Sequence, residues 1–129
     1  MNGRYVLDSN VVIAMFDQEV AVLEQIAAAE ETIVPIPVIG ELYYGAQRSR
    51  RSHPNVERID ALARSHTIVE LDMDTARHYG VIKTQLRRKG TPIPNNDIWI
   101  AAVAQQYGAT LATRDSHFEA VENLAVVRW

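Results

Sequence analysis

The sequence contains no cysteine. That excludes a disulfide framework, a thiolate metal site and a cysteine nucleophile, and it suits a reducing compartment. Long apolar runs are also missing. The longest uncharged one, Ile98 to Ala104, is seven residues, whereas a membrane-spanning helix needs about 20. The start of the chain carries Arg4 and meets Asp8 after only three apolar residues, short of the roughly 7–15 of a secretory signal core. A cytoplasmic protein without membrane association is therefore expected. No glycine-rich phosphate loop of the G-x-x-x-x-G-K-[ST] type occurs. The four histidines, at 53, 66, 78 and 117, are scattered and form no zinc-like spacing.

The 129 residues, 47% of them hydrophobic, suit one domain over 1–129 that builds its core without staples. The formal charge is −3, from 13 Lys and Arg against 16 Asp and Glu, which alone argues against a nucleic-acid partner. If four acids line a metal site, however, the remainder holds 12 acids against 13 bases, or +1. Bound divalent ions raise the local potential further. Distribution says more than the total: Arg48, Arg50, Arg51 and His53 cluster, as do Arg87, Arg88 and Lys89.

Strand-like and helix-like segments alternate along the chain. Tyr5-Val6-Leu7 reads as a buried strand ending at Asp8. Apolar spacing predicts a helix over Val20 to Glu30, and Thr32-Ile33-Val34 a strand stopped by Pro35. Pro37 suits the first turn of a helix to about Arg50. A helix over Asn55 to Ser65 precedes a strand over Thr67 to Leu71. Asp72 or Asp74 caps a long helix ending near Gly90, with Arg87, Arg88 and Lys89 in its last turn. Asn95 or Asn96 is read as the cap of a helix running to Gly108. Thr110 to Thr113 is a strand, Phe118 lies in a short helical stretch, and Ala125 to Val127 closes the series. This order predicts an α/β fold with a central parallel sheet and helices on both sides.

In open parallel sheets, ligands bind beyond the carboxyl ends of the strands. Asp8 directly follows the first strand, and Asp115 follows the Thr110–Thr113 strand by two residues. Asp97 lies in the first turn of a helix, and Glu41 within the helix after the second strand. If those strands are neighbours, four acids converge on one cleft. Gathered carboxylates repel and raise one another's pKa, and a cation removes that penalty. Hard oxygen donors suit Mg²⁺ or Mn²⁺ rather than Zn²⁺, and such a cluster suits phosphodiester hydrolysis. Each acid taken alone has a structural role open to it. Asp8 can cap the helix that follows, Asp97 can answer a helix dipole, Asp115 can be a turn residue, and Glu41 can pair with Arg48.

Four segments together carry a resemblance. Tyr5-Val6-Leu7-Asp8-Ser9-Asn10 looks like a hydrophobic strand followed by D-[ST]-N. Val38-Ile39-Gly40-Glu41-Leu42-Tyr43-Tyr44-Gly45-Ala46 looks like a G-E-L-x-x-G-A helix. Asn96-Asp97-Ile98-Trp99-Ile100-Ala101-Ala102 looks like a D-x-x-I-A-A helix, and Thr113-Arg114-Asp115-Ser116-His117-Phe118 looks like a T-x-D/N-x-x-F element. In this order the sequence resembles PIN domains, specifically the VapC toxins of bacterial type II toxin–antitoxin pairs. Ser9 stands where threonine is common, and the hydroxyl remains. The resemblance implies a PIN fold and an Mg²⁺- or Mn²⁺-dependent endoribonuclease with Asp8, Glu41, Asp97 and Asp115 as its acidic site. It also implies a cognate VapB-type antitoxin that blocks the cleft, and a toxin homodimer. On this reading Ser9, Asn10 and Thr113 orient the acids, and Glu41 ligates metal or positions water.

Arg114, Arg48 and Arg51 are candidate RNA contacts, and Tyr43, Tyr44 and Tyr79 candidate stacking residues. His117 is read as a candidate phosphate contact outside the metal set. Two other functions compete: a PIN nuclease of RNA processing without an antitoxin, and a non-enzymatic module binding RNA or protein. The presence of all four acids disfavours the second. A phosphoryl-transfer enzyme of the haloacid type would need an Asp at position 10, which is Asn. A receiver domain would need paired acids and a late lysine that are not found.

Overall fold

Five short strands pair in parallel in the order β3-β2-β1-β4-β5, in a computed structural model that describes residues 3–129. They are β1 (Arg4–Leu7), β2 (Glu31–Pro35), β3 (Thr67–Val69), β4 (Thr110–Ala112) and β5 (Val126–Val127). Between them lie α1 (Ser9–Phe16), α2 (Val20–Ala28), α3 (Ile36–Gln47), α4 (Ser52–Asp60), α5 (Met73–Lys89) and α6 (Asn95–Gln106). Two 3-10 turns cover Ala61–Arg64 and Ser116–Ala120.

The order of strands dictates the layers. From β1 the chain steps outward to β2 and β3, then returns past β1 to β4 and β5. Right-handed crossovers put helices of opposite steps on opposite faces, so α1 to α4 cover one face and α5 and α6 the other. The central strands are buried on both sides: Val6, Leu7, Val34, Leu111 and Ala112 are fully enclosed. That explains their continuous apolar runs. Helix α6 is enclosed almost all round, with Ile98 and every residue from Ile100 to Ala104 buried. Three alanines, at 101, 102 and 104, let it lie close to the sheet. Among the described residues, no helix is long and apolar enough to cross a membrane.

Several helix ends follow the expected chemistry. Asp72 caps α5: its Oδ1 accepts from Thr75 N at 3.0 Å, while Thr75 Oγ1 accepts from Asp72 N at 3.0 Å. Gln106 Nε2 donates to the same Asp72 oxygen at 2.8 Å, tying α5 to α6. Asp72→Ala is expected to destabilise the fold by removing this cap, seen as a lower urea midpoint at unchanged slope. Gly90 adopts φ +69°, and the bond from Thr91 N to Leu86 O closes the helix.

Other ends differ. Pro94, rather than Asn95 or Asn96, occupies the cap position of α6, its carbonyl accepting from Asp97 N and Ile98 N. The two asparagines turn outward to other partners: Lys83 Nζ donates to Asn95, and Asn96 donates to Glu41. Helix α4 begins three residues before Asn55, at Ser52, and gives way to a 3-10 turn at Ala61. A helix straight after Asp8, left without bounds by the sequence reading, occupies Ser9–Phe16.

Candidate active site

Register brings the first two polar residues together. Leu7 pairs with Ala112 across β1 and β4, so the next step places Asp8 beside Thr113 at the carboxyl edge. Asp8 N extends the ladder to Ala112 O at 3.0 Å. Its carboxylate is 4% exposed and is held at both oxygens. Oδ1 accepts from Ser9 N at 2.8 Å; Oδ2 accepts from Thr113 Oγ1 at 2.7 Å and from Asn10 Nδ2 at 3.3 Å. Asp8 is therefore the cap of α1 as well as a member of the acidic cluster; the two readings of it are compatible. Asn10 Oδ1 in turn accepts from Arg114 N at 3.1 Å, which fixes the turn after β4.

The remaining acids arrive from three other segments. Glu41 stands one and a half turns into α3. Its oxygens accept from Asn96 Nδ2 at 2.7 Å and Ser9 Oγ at 3.4 Å, while Arg48 lies over the Tyr44 ring at 4.5 Å. Asp97 enters from the first turn of α6. Asp115 caps the 3-10 turn after β4, its Oδ1 accepting from His117 N at 3.2 Å. Oxygen atoms of Asp8, Glu41 and Asp97 lie within 4.8 Å of one another, and so do ligand atoms of Asp97, Asp115 and His117.

Electrostatics mark these groups apart from the rest of the surface. Burial pushes the Asp8 carboxyl above its usual range, and Asp115 adds to this; the Thr113 and Ser9 hydrogen bonds oppose it. Burial likewise raises Glu41, followed by the nearby charges of Asp8 and Asp97. Asp97 is raised first by burial and further by Asp8 and Asp115, against the hydrogen bond from His117. Desolvation and mutual repulsion thus act together on three of the four acids. The donor set, hard carboxylate oxygens whose charge lacks a matching Lys or Arg, fits a divalent cation.

Other residues singled out in the sequence fall elsewhere. Arg114 does not face the acids: its guanidinium donates to Glu19 at 2.7 and 3.3 Å and to Trp129 O at 2.6 Å. These bonds tie the loop before α2 to the segment after β5. Arg51 borders a groove along α4 with Asn55, Arg58 and Arg64. Tyr43 donates to Asp60, and Tyr79 stacks on Trp99 at 4.0 Å between ring centres. Asn96 escaped the sequence reading of the site, and His117, read as a phosphate contact outside the metal set, lies against two of the acids. Asn96 holds Glu41, and His117 Nε2 lies 2.6 Å from Asp97 Oδ2 and 2.9 Å from Asp115 Oδ2. For Asn96 the signal was its position beside Asp97; for His117 it was its place two residues after Asp115.

A parallel sheet with acids converging at its carboxyl edge defines a class of metal-dependent nuclease folds, and comparison with known proteins identifies it. The PIN domain profile matches residues 5–124. Ribonuclease VapC2 of Haemophilus influenzae is 33% identical over 129 residues, with 98% of each chain covered. Ribonuclease VapC2 of Rickettsia felis is 29% identical over 130 residues, covering 97% of each. A crystal structure of VapBC2 from Rickettsia felis bound to a DNA fragment from their promoter matches with a TM-score of 0.88, at 28% identity and 98% coverage of each chain. The chain belongs to the PIN-domain family, among its VapC ribonucleases.

Proposed function

We propose that this protein is a divalent-metal-dependent endoribonuclease, the toxin of a VapBC-type toxin–antitoxin pair, using Asp8, Glu41, Asp97 and Asp115. The carrying observation is the convergence of these four acids from four segments, three of them held above their usual pKa and none paired with a Lys or Arg among the described residues. The hard oxygen set favours Mg²⁺ or Mn²⁺. When bound, the cation neutralises the cluster, activates water and stabilises charge on the attacked phosphate. The protein's own groups fix the geometry. Ser9 N, Thr113 and Asn10 orient Asp8, and Asn96 with Ser9 holds Glu41, the most exposed acid, at the mouth of the cleft. Water attacks phosphorus as the P–O bond to the leaving oxygen breaks, and that oxygen departs with a proton.

RNA is the substrate, with Arg48 at the end of α3 and Arg51 on the groove along α4 as its backbone contacts. A VapB-type antitoxin is the partner, and the toxin works as a homodimer in the cytoplasm with residues 1–129 as one PIN domain. Purified protein is expected to cleave total RNA in Mg²⁺ or Mn²⁺ and to stop in EDTA. Cleavage that persists in EDTA would sink the metal-dependent reading. Asn96→Ala removes the 2.7 Å bond to Glu41, and it is expected to lower cleavage about 10–100-fold, as loss of a group supporting a metal ligand usually does. Rates within threefold of wild type at saturating metal would show that Glu41 does not depend on Asn96.

A further inference from the structure

The two ligand triads share one residue. Asp97 belongs both to the group with Asp8 and Glu41 and to the group with Asp115 and His117. One member of the second group is an imidazole. Its Nε2 sits 2.6 Å from Asp97 Oδ2 and 2.9 Å from Asp115 Oδ2. A single N–H cannot be directed fully at both oxygens, whereas a cation among the three atoms meets all of them. We infer that His117 is a ligand on the Asp97–Asp115 side of the metal centre, and that its nitrogen biases this side toward transition-metal ions over Mg²⁺. The inference rests on the reading of the acids as a divalent-cation site.

Three features support a ligand rather than a surface histidine. The ring is positioned by its own turn: Asp115 Oδ1 accepts from His117 N, and the adjoining Phe118 is fully buried, with the two rings 5.5 Å apart. The imidazole can present a lone pair at Nε2. Among the described residues Nδ1 has no protein partner, and a side chain 38% exposed can carry its proton there, toward water, once a cation takes the place of the Nε2–H bond to Asp97. Finally, the donor types match the claim. Imidazole suits Zn, Cu, Fe and Ni, while carboxylate and water suit Mg²⁺, Ca²⁺ and Mn²⁺, so one nitrogen among oxygens shifts the preference toward the later ions without excluding Mg²⁺ or Mn²⁺.

The other three histidines are engaged away from the acids: His53 with Glu57, His66 with Thr32, and His78 with Gln105. A nitrogen signal at bound Mn²⁺ is therefore attributable to His117. The test loads the full chain with Mn²⁺ and records electron spin echo modulation from ¹⁴N, for wild type, His117→Gln and Asp8→Asn. Binding of Mn²⁺ and competition by Mg²⁺ are measured in parallel, and thermal melts check folding. Imidazole nitrogen coupling is expected in wild type and absent in His117→Gln, with the affinity for Mn²⁺ falling about tenfold. Mn²⁺ bound by wild type without nitrogen coupling, or coupling that survives in His117→Gln, would overturn the assignment while leaving the acidic site intact. If wild type binds no Mn²⁺, or binds it just as well after Asp8→Asn, the four-acid reading itself fails and takes this inference with it.

Discussion

Asp8→Asn is expected to abolish metal-dependent RNA cleavage and at the same time to stabilise the metal-free protein at neutral pH. The first effect follows from charge. Asp8 is the most enclosed of the four acids, and removing a negative ligand from the cluster forfeits several kcal/mol of stabilisation at the reacting phosphate. That corresponds to a loss of about three orders of magnitude or more in rate. The second follows from the balance of forces on the carboxylate. Its hydrogen bonds from Ser9 N and Thr113 Oγ1 favour the ionised form, yet burial and Asp115 outweigh them, and the pKa lies above the usual aspartate range. The folded state thus holds the charge at a net penalty. Asparagine keeps the shape, still accepts from Ser9 N, and sheds that penalty.

The sign of the pH dependence can be worked out. A carboxyl raised on folding destabilises the protein above its folded pKa, and that loss is recovered as pH falls toward the unfolded value. Asp8, Glu41 and Asp97 all act this way. His66 acts oppositely: burial depresses its pKa, so stability is lost as pH falls through the unfolded value near 6.5. The difference between Asp8→Asn and wild type cancels His66. That difference, measured by thermal melts in EDTA, is expected to be largest near pH 7 and to shrink on acidification into the carboxylate range. A variant less stable than wild type at pH 7, or a difference that grows on acidification, would show that the hydrogen bonds dominate instead. Added Mn²⁺ should reverse the ranking, because only wild type gains the binding energy of the ion.

Much of this was legible in the sequence because it depends on local position. Asp8 and Asp115 sit where strands end, and Asp97 sits where a helix begins, so a parallel sheet carries them to one edge whatever the details of packing. The order β2-β1-β4 at the sheet centre is the neighbour relation that convergence requires. What remained hidden depends on pairs distant in sequence. Arg114 meets Glu19 across 95 residues, and Asn96 meets Glu41 across 55; nothing in either segment specifies the other. The α6 cap was misplaced because asparagine is a good cap in isolation, while here Glu41 and Lys83 offered those side chains other bonds. His117 was set aside because metal-binding histidines were sought as clusters in the sequence. One imidazole joins the acids through the tight turn that follows Asp115.

Phe118→Ala is expected to give the largest loss of stability of any single change at this end of the molecule. Phe118 is fully buried and heads the enclosed side chains by volume. Its replacement removes an aromatic ring and leaves a cavity in the enclosed core that the packed side chains around it cannot readily fill. The cost for such a truncation is about 3–5 kcal/mol, a large share of the roughly 5–15 kcal/mol that holds a domain folded. Urea denaturation should show it as a lower midpoint, and the melting temperature should fall by on the order of 10 °C or more. Phe118→Leu keeps most of the volume and should lose less than half as much. The position also bears on the site, because Phe118 is the buried side chain of the 3-10 turn from Ser116 to Ala120. With the ring gone, Asp115 and His117 lose the anchor that holds them against Asp97, so metal affinity should fall even under conditions where Phe118→Ala is fully folded. A variant that loses stability but binds Mn²⁺ as wild type does would show that the hydrogen bonds of Asp115 to the His117 backbone suffice to hold the turn. A loss below 1 kcal/mol would mean that the packing around Phe118 is far looser than its burial implies.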